Sequence, residues 1–143
     1  MLKKTVSLLT VALGLSLAAP AMADTAAMPA SKGRVLLVAT SADILKFKDG
    51  RTHRTGYFLG ELTEPAQELI KAGYEVVVST PDGNTPPLDK NSINPEIFGN
   101  SEEKMNQAMR FALTHPSMQK PTKLADAIRN LDSFDALYIP GGH

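Results

Sequence analysis

Residues 55–79 read TGYFLGELTEPAQELIKAGYEVVVS. Phe58, Leu62, Ala66, Leu69 and Ile70 recur at helical spacing. Pro65 is compatible with a first helical turn, and Thr63 is then a candidate cap, so a short turn feeding a longer helix is expected. Gly73, two residues past Lys71, fits a helix stop. Val76-Val-Val78 follows as a continuous apolar run rather than an alternating one. A strand buried on both faces reads this way, which is the mark of a parallel sheet covered by helices.

Outward from this segment the same pattern repeats. Val35-Leu-Leu-Val-Ala39 precedes it and Ala136-Leu-Tyr-Ile139 follows further along the chain, both apolar throughout. Strand, helix, strand within about 45 residues is a βαβ unit, whose crossover is right-handed. The stretch from Pro81 to Asn100 is dense in Pro, Gly, Asn and Asp and reads as a long loop. Glu102–Leu113 and Thr122–Leu131 each carry apolar residues at helical spacing; Leu124, Ala127, Ile128 and Leu131 share one face. The expected architecture is α/β: three parallel strands with intervening helices, in a flavodoxin-like three-layer sandwich with the first strand central. Ligands of such a sheet bind beyond the carboxyl ends of the first and third strands, where the winding reverses. That selects the segment from Ala39 to Glu61 and the loop after Ile139.

The chain opens MLKKTVSLLTVALGLSLAAPAMA. Lys3 and Lys4, the uncharged Val6–Ala19 stretch and Ala21-Met22-Ala23 have the form of a cleavable signal peptide, residues 1–23, with the cut after Ala23. The apolar stretch is shorter than the ~20 residues that spanning requires. A periplasmic or secreted protein with no membrane attachment after cleavage is expected. Asp24–Gly33 reads as a flexible mature N-terminus, and residues 34–143 as the α/β domain. Cleavage would leave 13 basic against 15 acidic side chains, a balance that argues against nucleic-acid or anionic-membrane partners. The absence of cysteine from the 143 residues excludes disulfides and thiolate metal sites within them.

Few side chains stand out by chemistry. Glu61 lies early in the first crossover helix among Phe58, Leu59 and Leu62, where a carboxyl group could face the switch point and donate or relay a proton. From the residues alone, a solvated glutamate favoured by the helix dipole is the more ordinary reading. Gly141 and Gly142 follow a strand, so their amides could stabilise an oxyanion, or they could simply form a turn. Lys46, Lys48, Arg51, His53 and Arg54 offer charge to an anion, although a solvated loop turned at Gly50 explains them as well. His53 and His115 lack metal-ligand spacing, and no metal is expected.

Taken together, THRTGYFLGELTEPAQELIKAGYEVVVSTPDGNTPPLDKNS and FDALYIPGGH resemble the ThiJ/PfpI superfamily of class I glutamine amidotransferase-like proteins. The likeness runs from Val35 to His143 and is greatest to the stress-response branch of chaperones and glutathione-independent glyoxalases. The resemblance implies that Glu61 is the proton-shuttling glutamate beside a reactive cysteine. It places Gly141 and Gly142 at the oxyanion pocket and His143 as a positioning residue of the same loop, and it gives Asp89 and Ser92 a structural part. It further implies a small carbonyl substrate and conversion of methylglyoxal to lactate, or related hydrolase or deglycase chemistry, with no cofactor. A homodimer is compatible with it. The family nucleophile is a cysteine after a further strand. The expectation is therefore of an N-terminal part of such a domain, incomplete at its C-terminal side and inactive by itself, or alternatively of a non-catalytic periplasmic holdase.

Overall fold

The computed structural model describes residues 31–141. The expected signal peptide, most of the segment expected to form a flexible N-terminus, Gly142 and His143 lie outside the described residues.

Four parallel strands form the sheet, in the order β5–β4–β1–β6. They are β1 (Arg34–Val38), β4 (Glu75–Thr80), β5 (Thr122–Lys123) and β6 (Ala136–Tyr138). Val35, Leu36 and Leu37 of β1 lie opposite Val76, Val77 and Val78 of β4, and opposite Ala136, Leu137 and Tyr138 of β6. Successive residues of a strand point to opposite faces. Leu36 and Leu37 are only 1% and 0% exposed, so both faces of the central strand are covered, which accounts for the unbroken apolar run. The flavodoxin-like α/β fold, with β1 between β4 and β6, is as expected.

The first crossover is α1 (Leu59–Lys71), which packs on β4. Its inward side carries Leu59, Leu62 and Ala66, all fully buried; burying each leucine contributes about 1.5–3 kcal/mol. Two sequence expectations fail here. The helix is continuous through Pro65 rather than a turn feeding a later helix, and Thr63 is no cap. Thr63 is buried and its hydroxyl donates to the Leu59 carbonyl one turn back at 2.7 Å.

The second crossover begins with the loop after β4, folded into short 3-10 turns at Lys90–Ser92 and Pro95–Phe98. Then come α2 (Glu102–Thr114), α3 (Pro116–Gln119) and α4 (Leu124–Arg129). The Ser101 hydroxyl caps α2 by accepting the Lys104 N–H. The helix expected over Thr122–Leu131 is shorter than its periodicity suggests. Thr122 and Lys123 instead extend the sheet beside Ser79 and Thr80. Of the anticipated apolar face Ala127 is buried, whereas Ile128 and Leu131 are exposed.

The basic segment is a projecting hairpin of β2 (Ile44–Lys46) and β3 (Thr52–Arg54), antiparallel and exposed along both strands, rather than a plain loop. Gly50 makes its turn at φ +85°.

At the foot of the sheet, Asp135 fixes the register of β6. Its carboxylate accepts the Arg34 N–H at 2.7 Å, and its own N–H donates to the Arg34 carbonyl at 2.8 Å. Residues 31–33 hydrogen-bond to the segment entering β4: Lys32 N–H donates to the Gly73 carbonyl, and the Gly33 carbonyl accepts the Glu75 N–H.

Candidate active site

Helix α1 starts without a side-chain cap of its own, because its N-cap residue is Phe58. A distant residue supplies the missing acceptor. The buried Ser92 hydroxyl accepts the Leu59 N–H at 2.9 Å and donates to the Asp89 carbonyl at 2.5 Å. Asp89 in turn stabilises the 3-10 turn by accepting the Asn91 N–H on its carboxylate. Two backbone bonds hold this loop against the segment ahead of α1, from Tyr57 N–H to the Pro87 carbonyl and from Asp89 N–H to the Tyr57 carbonyl. The approach is close enough to require Gly56, since a Cβ there would lie 2.2 Å from the Pro87 oxygen. Thr55-Gly56 and the P-x-D-x-x-S stretch, Pro87–Ser92, thus form one docking device that aims the start of α1.

The helix is aimed at the carboxyl ends of β1 and β6. A cleft of about 380 Å³ opens there, bounded by Thr40 after β1, Gly56 and Tyr57, Glu61 in the first turn of α1, Asp89, and Pro140-Gly141 after β6. This is the switch point selected by the order of the strands. Glu61 is half-buried rather than enclosed. Gly141 adopts φ +93°, a left-handed conformation that glycine takes without strain. Tyr57 is 7% exposed, and burial pushes its phenol up to about 12, so this wall of the cleft stays neutral. Glu61 and Gly141 therefore meet in one cleft; Gly142 and His143 lie outside the described residues.

A second cleft of about 390 Å³ adjoins the first, sharing Thr55 and Asp89, and reaches His53, Arg54 and Lys90. The arginines of the hairpin have local partners. Arg51 pairs with Asp49 at 2.7 Å and lies 5.4 Å from the centre of the Phe47 ring, and Arg54 stands 3.9 Å from Asp43. Hydrogen bonds from the Arg51 backbone and side chain hold the Asp49 carboxyl below its ordinary value. His115 lies at the end of α2, where its ring stacks on Phe111.

Sequence reasoning overlooked Tyr138, whose hydroxyl donates to the Glu61 main-chain carbonyl at 2.9 Å. The available signal was Pro65, four residues after Glu61. A proline inside a helix frees the carbonyl four residues back, and a freed carbonyl needs another donor.

Comparison with known proteins agrees with this fold. The ThiJ/PfpI family-like profile matches residues 53–143. The protein/nucleic acid deglycase HchA of Staphylococcus aureus is 27% identical over 116 residues, covering 78% of this chain and 37% of the relative. Glyoxalase III of Candida albicans superposes with a TM-score of 0.50 at 28% identity, over 78% of this chain and 44% of its own. The rapid encystment protein of Francisella tularensis does so with a TM-score of 0.59 at 27% identity, over 76% and 44%. The present chain thus spans less than half the length of these relatives. The staphylococcal relative's name includes nucleic acid, so the exclusion of such partners on charge finds no support. With its profile match, its sheet order and its two glyoxalase and deglycase relatives, the chain belongs to the ThiJ/PfpI family, on the glyoxalase/deglycase branch.

Proposed function

We propose that this chain supplies the glutamate side of a carbonyl-processing site. The complete protein would be a cysteine-dependent enzyme of the glyoxalase III type, converting methylglyoxal to lactate, or a related deglycase or hydrolase. The observation that carries the reading is the meeting of Glu61 and Gly141 in one cleft at the switch point.

In that reading a thiolate adds to the aldehyde carbon, and the amides of Gly141 and Gly142 hold the resulting oxyanion while His143 positions the loop. Glu61 takes the proton from the former aldehyde carbon and returns it to the neighbouring carbon through an enediol. The thioester so formed is hydrolysed, releasing lactate and the thiol. The 143 residues contain no cysteine, so the thiolate would come from the turn after a further strand, outside this sequence. By itself this chain would be inactive in that chemistry.

The test is methylglyoxal loss and lactate formation by the full-length protein, without added glutathione, beside Glu61→Gln and a variant of the nucleophile. Turnover that survives in both variants overturns the reading. Export is proposed from the leader, with Asp24 as the first residue of the mature protein; N-terminal sequencing that begins at Met1 would reject it.

A second reading is favoured by one observation. Among the described residues β6 is at the edge of the sheet, its Leu137 and the following Ile139 being 56% and 64% exposed, and an apolar sheet edge can take up extended segments by strand addition. A periplasmic holdase would use it. Suppression of client aggregation by the purified chain, lost in Leu137→Asp, supports this reading; equal suppression by that variant removes it.

A further inference from the structure

Pro65 lies inside α1 (Leu59–Lys71). It has no N–H, so it cannot close the helical hydrogen bond to the residue four positions earlier. That residue is Glu61. Its main-chain carbonyl instead accepts the Tyr138 hydroxyl at 2.9 Å, from a residue 77 positions along the chain. Tyr138 is itself fixed, since it ends β6 in register with Leu37 of the buried central strand. Three residues later comes Gly141, on the wall of the cleft that Glu61 also lines. An ordinary helical N–H would tie Glu61 only to its own helix. The phenol ties it to the strand that delivers the facing loop.

We propose that Tyr138 is a positioning residue. Its hydroxyl stands in for the N–H that Pro65 lacks and sets the spacing between Glu61 and the Gly141 loop. The effect on turnover rests on the reading of Glu61 as the proton carrier; the effect on the Glu61 carbonyl does not. Positioning of this kind acts on rate more than on substrate capture, because misplacement by about 1 Å can cost as much as ~100-fold.

The experiment uses the full-length protein with Tyr138→Phe, Pro65→Ala and the double variant. Tyr138→Phe removes one oxygen and keeps the ring. Pro65→Ala restores an N–H to the same carbonyl. The expected result is that Tyr138→Phe lowers kcat on methylglyoxal about 10-fold with KM changed less than about twofold, and that adding Pro65→Ala recovers less than about twofold, because an N–H at position 65 refills the carbonyl without tying it to β6. The carbonyl 13C resonance of Glu61 should move in Tyr138→Phe and move back in the double variant. If the parent protein does not turn over methylglyoxal, the functional reading of Glu61 falls, and the resonance alone then decides the hydrogen bond. An unchanged kcat in Tyr138→Phe of an active parent, a kcat that Pro65→Ala restores in full, or an unmoved resonance overturns the proposal.

Discussion

Ser92 caps a helix that begins 33 residues before it: its buried hydroxyl accepts the Leu59 N–H at 2.9 Å. The first N–H groups of a helix have no partner within it, and Phe58 at the N-cap supplies none. The orientation of α1, and with it the placement of Glu61, depends on a loop of the second crossover.

Ser92→Ala should therefore destabilise the fold by about 1–3 kcal/mol, because it leaves a buried N–H unpaired, whereas the Asp89 carbonyl keeps the Ser92 main-chain N–H as a donor. Urea denaturation monitored by circular dichroism measures the loss. A change below about 0.5 kcal/mol would mean that the helix start is satisfied in another way.

Gly56 and Gly50 should respond to alanine for different reasons. A Cβ on Gly56 meets backbone, the Pro87 oxygen at 2.2 Å and its carbon at 2.6 Å. Forcing those apart costs about 1–3 kcal/mol and displaces the loop that bounds the cleft. At Gly50 nothing lies within 4 Å and only the positive φ resists, a cost of about 1–2 kcal/mol confined to the hairpin. Amide hydrogen exchange separates the two: Gly56→Ala should speed exchange at Leu59 and Ser92, and Gly50→Ala only between Ile44 and Arg54.

His115 makes stability depend on pH. Its Nδ1 is buried without a hydrogen-bond partner among the described residues, and desolvation holds the imidazole below its ordinary value of 6.5. The unfolded chain then binds the proton more readily than the folded one, so stability rises with pH through the window just below 6.5. This contribution is complete above that value and is lost as the pH falls through the lower, folded one. Urea midpoints at pH 7.5 and 5.5 should differ in the parent, and the difference should shrink in His115→Phe.

Glu61→Gln should lower turnover of methylglyoxal by the full-length protein about 10²–10⁴-fold, since the amide cannot carry the proton between the two carbons. Steady-state kinetics measures it, and a reduction of less than about threefold would exclude Glu61 as the carrier.

What was legible in the sequence follows from how locally each feature is encoded. Val35–Ala39 and Val76–Val78 declared strands covered on both sides, because a position buried on either face has to be apolar. The helical period around Leu62 and Ala66 declared the crossover between them. Strand order then pointed to Glu61 and Gly141. Thr122-Lys123 gave no such signal: a two-residue strand takes its pairing from Ser79 and Thr80 rather than from any period of its own. The hairpin was equally silent, as its exposed strands bury no apolar face.

By itself, then, the sequence determined the covered strands at Val35–Ala39 and Val76–Val78, how the sheet winds and that Glu61 lies near the reversal; Ala136–Tyr138, read in the same way, is largely exposed. Only the tertiary structure decided how that glutamate is held. A helix with neither a local cap nor an N–H at Pro65 leaves a donor at Leu59 and an acceptor at Glu61 for other segments to satisfy. Ser92 and Tyr138, remote in sequence, meet those demands because the folded sheet brings them within hydrogen-bonding distance.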